Sequence, residues 1–489
     1  MPEVQENVNV KSKRSKSLNE ANELRIHEES VRKLQPDKPC HKYQDSLFSW
    51  SSGFDNFSGF VNWGFILLLM GGIRLLLENL LRYGIRIDPM QWLLLLKEEN
   101  GIEHNTSLVL LAYSLIPLSL CLFIEKGLSK KVFEERTGLQ LQIINASSIL
   151  LIPMLVIPTY SKQFSLLGAS TVCFMYSVLF LKLWSYIQVN MWCRREWISR
   201  VELKKKFDDH KNPLIDEPVE NEDKESAYEK DLRLIKYPNN LNLTNLLYFM
   251  AIPTLCYELN FPKTDRIRKR FILKRILELL IGIQVMAALF QQWMIPSVKH
   301  ALIPFSNMDI LKATERLLKL SIPNHLMWLI SFYLLFHSWL NFTGELFCFA
   351  DRNFYLDWWN AKNVNVFWRK WNTVVHRWAL RHVYWPMVEI GYGKVAASAT
   401  VFFISAFFHE FLVSVPLRTF KSWAFVGMMM QMPLAYLSTY MESRYGSRCG
   451  NIVVWISLIL GQPLCIMMYY HDYVISHYGE ALIEQFGHL

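Results

Sequence analysis

In this chain of 489 residues, the residue whose setting most needs a chemical reason is His409. It stands in VFFISAFFHEFLVSVPL, deep in an apolar run from about Lys394 to Val415. An ionisable group at such a place is costly, and inside a membrane it is read first as functional. Glu410 follows directly, but one helical step turns about 100°, so the two side chains diverge. Ser405, at i−4, shares the histidine's face. An uncharged imidazole can take the proton of an alcohol as the alcohol attacks a carbonyl, a contribution of about 10²–10⁴. The same attack builds negative charge on oxygen, which amide N–H groups can receive. Two amides sit at proline breaks in later apolar runs: Gln431 before Met432-Pro433, and Gln462 between Gly461 and Pro463. Each proline removes a backbone donor and frees a carbonyl. Interhelical hydrogen bonding explains either amide equally well. His337, Asn341 and Glu345 recur at i, i+4, i+8 and form a stripe expected to face protein or a water-filled cavity. A thioester brings its own leaving group, so no protein nucleophile is required, and the inventory fits direct acyl transfer inside one chamber.

Other chemistries lack their residues. The sequence has no Gly-x-Ser-x-Gly elbow, no phosphate-binding Walker loop and no dinucleotide fingerprint. The helical zinc motif and the His-x-x-x-x-Asp pattern are missing too. Cys40, Cys121, Cys173, Cys193, Cys256, Cys348, Cys449 and Cys465 are scattered, with no pair at metal or redox spacing, and read as small apolar residues. No metal and no cofactor are expected.

The elements that must carry these groups are helices in a bilayer. Apolar residues make up 52% of the chain and aromatics 14%, and a spanning helix needs roughly 20 apolar residues. Nine candidates lie near 60–81, 107–124, 140–158, 164–187, 271–295, 322–350, 394–415, 422–440 and 450–472. The fifth and sixth are the most interrupted, which leaves eight or ten as alternatives. The expected fold is all-α: a polytopic membrane protein with about nine transmembrane helices enclosing an intramembrane reaction chamber.

Residues 1–40 are polar, mixed in charge and without an apolar run, so they are expected to be disordered and not a cleaved leader. Residues 60–478 form the membrane-embedded domain, with cytosolic loops at about 188–270 and 351–393, and 479–489 form the tail. Lys and Arg are concentrated in alternate loops, which places the N-terminus in the cytosol and the C-terminus in the lumen. Those loops also account for the net charge of +9, so no nucleic acid is expected. No internal repeat is found, which counts against a secondary transporter. Asp208 to Lys230 reads as a flexible loop. Leu246–Phe261, holding Pro253, reads as an interfacial or re-entrant piece. In RIRKRFILKR, residues 266–275, six of ten positions are basic. This is an anchor for anionic headgroups or a funnel for a phosphate-bearing substrate. From Trp358 to Trp385 tryptophans crowd among Asn, Arg, His and Asp, as in short amphipathic helices at the membrane surface.

FYLDWWN, residues 354–360, resembles the FYxDWWN motif of the membrane-bound O-acyltransferases that esterify sterols and diacylglycerol. The matching residues are Phe354, Tyr355, Asp357, Trp358, Trp359 and Asn360. His409 falls where that family places its histidine, after a tryptophan-rich stretch. QDSLFS (44–49), PTLCYELNFP (253–262), RIRKRF (266–271), LLKLSIPNHLMWL (317–329) and SAFFHEFLVSVPLR (405–418) look like the same family. QDSLFS and the NHLMWL region favour its diacylglycerol branch over its sterol branch. The resemblance covers roughly 40–478.

It implies that His409 is the base on the acceptor hydroxyl, that Asn372 is a second catalytic position, and that Glu410 is an acidic residue needed for activity. It implies that Trp368, Arg369, Lys370, Trp371, Asn372, Thr373, Val374, Val375, His376 and Tyr384 hold acyl-CoA, a substrate and not a cofactor. Gln431 and Gln462 match amides near the reacting carbonyl. Residues 41–59 match an ordered segment before the membrane that crosses between subunits of a homodimer, a homotetramer being the larger alternative. The family's setting is the endoplasmic reticulum membrane. One departure stands out: no basic residue lies around Ala396–Ser398, so a coenzyme A phosphate contact there lacks its residue. The expected reaction moves an acyl group from acyl-CoA to diacylglycerol. Its rivals are a sterol, retinol or wax-alcohol acyltransferase and, in another class, a transporter that uses the intramembrane polar groups as a relay.

Overall fold

A computed structural model describes residues 58–89, 106–160, 163–209, 234–307 and 309–478. The expectations for 1–40, most of 41–59, the loop centre at 210–233 and the tail 479–489 lie outside the described residues. The chain divides after Leu75 into two compact units. Residues 58–75, the described part of the first, are helical and open α1 (Ser58–Tyr83).

The second unit begins with a helical group: α2 (Thr106–Tyr113), α3 (Leu115–Ser129), α4 (Glu135–Thr159), α5 (Leu166–Asp209) and α6 (Leu243–Ala251). Next come α7 (Lys269–Leu289), a wide π turn at Phe290–Met294, α8 (Ile295–Ser306) and α9 (Ile310–Phe332). A second π turn, Tyr333–Trp339, leads into α10 (Leu340–Leu346). After the motif loop come α11 (Val364–Trp371) and α12 (Thr373–Ala379), a third π turn at Leu380–Tyr384, and α13 (Trp385–Glu389). The chain closes with α14 (Lys394–Leu417), α15 (Trp423–Met429), α16 (Gln431–Tyr445) and α17 (Ser447–Tyr478).

Among the described residues, seven helical stretches are long and apolar enough to cross a bilayer. They are Gly64–Tyr83, Thr106–Ser129, Glu135–Thr159, Leu166–Leu203, Ile310–Leu346, Lys394–Leu417 and Ser447–Ser476. They match seven of the nine expected spans. The other two are built differently. The fifth, α7, opens on Lys269, Arg270, Lys274 and Arg275 and holds Glu278, so its charges interrupt the apolar window. The eighth divides at Met430 into the short α15 and α16. The loop expected from 188 is helical as far as Asp209. At about 1.5 Å per residue, the 44 residues of α5 outrun a core of about 30 Å, and the excess extends beyond it.

Large apolar side chains face outward on many spans, for example Leu155 (67% exposed) and Ile283 (59%), as a lipid-facing surface requires. The main core gathers α2–α6 around Tyr176, Tyr186, Phe249 and Tyr257. Here α6, too short to cross, is a packed piece and not a span. Its start is capped by Asn242, which accepts from Asn245 N at 2.7 Å. A second core, around Trp358, Phe367 and Val454, joins the motif loop to α9, α11, α16 and α17.

Candidate active site

His409 lies two turns before the end of α14, which packs against α4, α5, α15 and the 380–384 turn. Phe408 meets Phe180 of α5, ring centroids 5.6 Å apart. The His409 ring is enclosed deep among protein atoms yet keeps accessible surface. The side chain is therefore not sealed into a core. Nδ1 stands 2.7 Å from the backbone oxygen of Ser405 and 3.5 Å from its hydroxyl. A carbonyl only accepts, so Nδ1 carries the proton and Nε2 keeps its lone pair.

Glu410 points elsewhere, as the helical step requires. Its Oε1 accepts from Ser422 N (3.0 Å) and from the Ser414 hydroxyl. Its Oε2 accepts from Tyr469 OH (2.7 Å) and Phe425 N (3.0 Å). The Tyr469 oxygen in turn accepts from Ala424 N at 2.9 Å. The carboxylate thus pins the turn after α14 to the start of α15 and to α17. That turn contains Arg418 and Ser422, both with left-handed φ, 58° and 60°.

Asn372 is the hinge between α11 and α12. Its Oδ1 accepts from Val375 N at 3.1 Å, capping α12, so the amide presents its NH₂ as a donor. The flanking residues serve several ends. Trp371 stacks on Trp328 of α9 at 4.5 Å and 5°, and Thr373 is buried with its N–H on Phe354 O at 3.1 Å. Lys370 pairs with Asp357 at 2.9 Å, which holds that carboxyl below its usual range. Trp368 meets Phe402 of α14 edge-on at 6.3 Å, two turns before His409 and on a related face. Val374 packs on the main core, His376 is half-buried with its N–H on Asn372 O, and Arg369 and Val375 are exposed. Tyr384 packs edge-on against Trp385. Gln431 opens α16. Gln462 accepts from Asn324 Nδ2 at 3.4 Å, which leaves its own NH₂ to donate.

The motif residues join loops to helices. Phe354 and Trp358 are buried, and Trp358 meets Trp328, Trp371 and Trp455 at 5.1–5.7 Å. Tyr355 OH lies 2.9 Å from His337 Nδ1. Trp359 O receives Asn451 Nδ2 at 3.1 Å, and Asn360 N donates to Asp357 O at 3.2 Å. The stripe on the sixth expected span faces protein. Besides His337–Tyr355, Asn341 Nδ2 donates to His337 O at 2.8 Å. Glu345 receives Arg268 at 2.7–3.0 Å and Arg352 at 3.1 Å.

Sequence reasoning missed a second polar set on α3–α6. Lys182 Nζ donates to Phe249 O, Met250 O and Ile252 O at 2.8–2.9 Å, clamping the end of α6. Glu125 binds Arg194 at 2.7 Å and receives Gln142 at 3.3 Å. His382 sits between Ser185 Oγ (2.8 Å) and Gln188 Oε1 (2.6 Å). Burial, helped by the charge of Arg381, pushes its imidazole down to about 3. Charges inside apolar runs, Glu125 and Lys182, were the available signal.

Comparison with known proteins gives these residues a context. The family model of the membrane-bound O-acyltransferases matches residues 110–471. Diacylglycerol O-acyltransferase 1 of Homo sapiens is 44% identical over 446 residues, covering 91% of this chain and 86% of that protein. The protein of the same name from Bos taurus is 44% identical over 90% of this chain and 86% of its own length. Diacylglycerol O-acyltransferase 1B of Glycine max is 36% identical over 90% and 82%.

Proposed function

We infer the chemistry from one premise: this chain belongs to the membrane-bound O-acyltransferase family. It is a multi-pass membrane enzyme, an acyl-CoA:diacylglycerol O-acyltransferase that moves a fatty acyl group onto the free hydroxyl of 1,2-diacylglycerol and makes triacylglycerol.

The observation that carries the mechanism is His409, a histidine with Nδ1 tied to Ser405 O and a ring that keeps accessible surface. Its Nε2 takes the proton of the diacylglycerol hydroxyl as that oxygen attacks the thioester carbon. The oxygen–carbon bond forms, the carbonyl oxygen gains charge, and the carbon–sulfur bond then breaks. The coenzyme A thiolate receives the proton from the imidazolium. Asn372, held as a cap with its NH₂ outward, donates to the charged oxygen, and the uncommitted NH₂ groups of Gln431 and Gln462 suit the same task. Glu410 acts as a positioning residue: with four donors on its oxygens it fixes α14 against α15 and α17. Trp368 to His376 and Tyr384 form the side on which acyl-CoA is held. Diacylglycerol enters from the bilayer, where it dissolves.

The enzyme works in the endoplasmic reticulum membrane as a homodimer, with its N-terminus in the cytosol, its C-terminus in the lumen, and residues 41–59 at the subunit contact. The excess of Lys and Arg in alternate loops supports this orientation. In purified enzyme, His409→Ala lowers acyl transfer by about 10²–10⁴ with folding and dimerisation unchanged. A variant that kept most of its turnover would refute the assignment. Offering one labelled acyl-CoA with diacylglycerol, cholesterol, retinol and a wax alcohol in turn tests the acceptor.

A further inference from the structure

We propose that a second lipid site, apart from the reaction chamber, lies in the groove between α7 and α9 and holds one anionic glycerophospholipid. The groove encloses about 690 Å³, within the roughly 300–1,000 Å³ usual for ligand sites. Its walls are almost wholly apolar: Leu273, Leu277 and Ile281 from α7 face Leu329, Ile330 and Leu334. At Gly282 the helices come so close that a Cβ would meet Leu334 at 2.2 Å, which bounds the groove at that level. Such a trough fits a hydrocarbon chain.

The other end of the groove is basic. Arg270 and Lys274 line it and are exposed. Two other cations of the same segment are already neutralised, Arg268 by Glu345 and Arg275 by Glu278, both at 2.8 Å. Glu278 also lines the groove, but its Oε2 is occupied by Arg275 and by the Ser338 hydroxyl, each at 2.8 Å. Arg266, Lys269, Arg270 and Lys274 have no ion-pair partner among the described residues. An apolar trough ending in uncommitted cations at a membrane surface calls for a chain carrying a phosphate.

The occupant is not a substrate. Neutral diacylglycerol offers nothing to the cations. An acyl-CoA tail lodged here would lie against α7 and α9, whereas His409 is on α14 and Asn372 joins α11 to α12, and neither α14, α11 nor α12 contributes a lining residue. A resident phospholipid bridging α7 and α9 satisfies both ends of the groove. The site holds whichever alcohol accepts the acyl group.

The test uses full-length enzyme purified in detergent, stripped of lipid and examined by native mass spectrometry. Phosphatidylserine and phosphatidylcholine with the same chains are titrated separately. One phosphatidylserine should be retained per chain at concentrations where phosphatidylcholine is not. Arg270→Ala with Lys274→Ala should weaken that retention about tenfold or more, and Ile281→Trp, which fills the trough, should abolish it. Both variants should keep acyl transfer within about twofold, which shows that they fold and separates this site from the chemistry. Equal retention of the two lipids would overturn the proposal. So would unchanged phosphatidylserine binding in the Arg270/Lys274 variant, or stoichiometric displacement of the lipid by a non-hydrolysable acyl-CoA analogue.

Discussion

The polar groups packed on α3–α6, His382 of the 380–384 turn among them, and the site groups around α14 other than Glu410 differ in how fully they are used. Lys182 spends its ammonium on three carbonyls, Glu125 is taken by Arg194 and Gln142, and His382 has a partner on each ring nitrogen. Around α14, His409 has one nitrogen committed, Asn372 one side of its amide, and Gln462 one weak contact. A saturated buried group holds the fold, while a half-used one is available to something that arrives. Intramembrane polarity by itself does not mark a catalytic centre, because Lys182 is buried too.

That contrast can be broken most sharply at Asn372. Asn372→Ser keeps a capping oxygen, whose exchange for Asn is nearly neutral, but loses the amide donor. We expect kcat to fall about 10²–10³ at an unchanged thermal midpoint, whereas a purely structural asparagine would leave kcat near wild type. On the saturated side, Glu125→Gln strands Arg194 and should cost about 3–5 kcal/mol of stability. Activity per folded molecule at low temperature should stay within about twofold. A large specific loss there would show that the α3–α5 polar set reaches the chemistry.

The smallest effect is on pH. The His382 imidazole is held neutral to about 3, while in the unfolded chain it protonates near 6.5. Between those values the unfolded state binds the extra proton, so stability falls as pH falls. Taking wild type from pH 7 to pH 5 should cost about 1–2 kcal/mol through this residue. His382→Gln should lose that part of the acid sensitivity in a thermal-shift series.

Much of this was legible in the sequence, because apolar runs write spans directly. Seven helices and the isolated His409 came from that pattern, but of the two expected proline breaks only the one by Gln431 lies at a helix division, since α17 runs unbroken through Pro463. The charges of Glu125 and Lys182 were visible as well. Their partners were not, since the carbonyls on Lys182, 67 to 70 residues away, and the Arg194 guanidinium on Glu125, 69 residues away, are paired only by the tertiary fold. The hub at Glu410 was hidden for the same reason: its donors include two backbone amides and a tyrosine 59 residues away. The stripe at His337, Asn341 and Glu345 was visible as a pattern but not its purpose. Its partners Tyr355, Arg352 and Arg268 belong to loops whose course depends on the tertiary fold.

The wide turns at 290–294, 333–339 and 380–384 also bear on how such a chain tolerates length change. A π turn is an α-helix carrying one surplus residue. Deleting a single residue from 333–339 would let the ladder rewind to i→i+4 with the faces beyond it kept, whereas deleting one from the regular helix on either side would swing everything beyond it by about 100°. In that second case Glu345 would be carried away from Arg268 and Arg352, and the loop leading to FYLDWWN would start from the wrong side of the helix. A frame-preserving codon loss is therefore best absorbed in the wide turn itself and most damaging in the regular helix beside it, where it re-aims a whole segment and not one side chain.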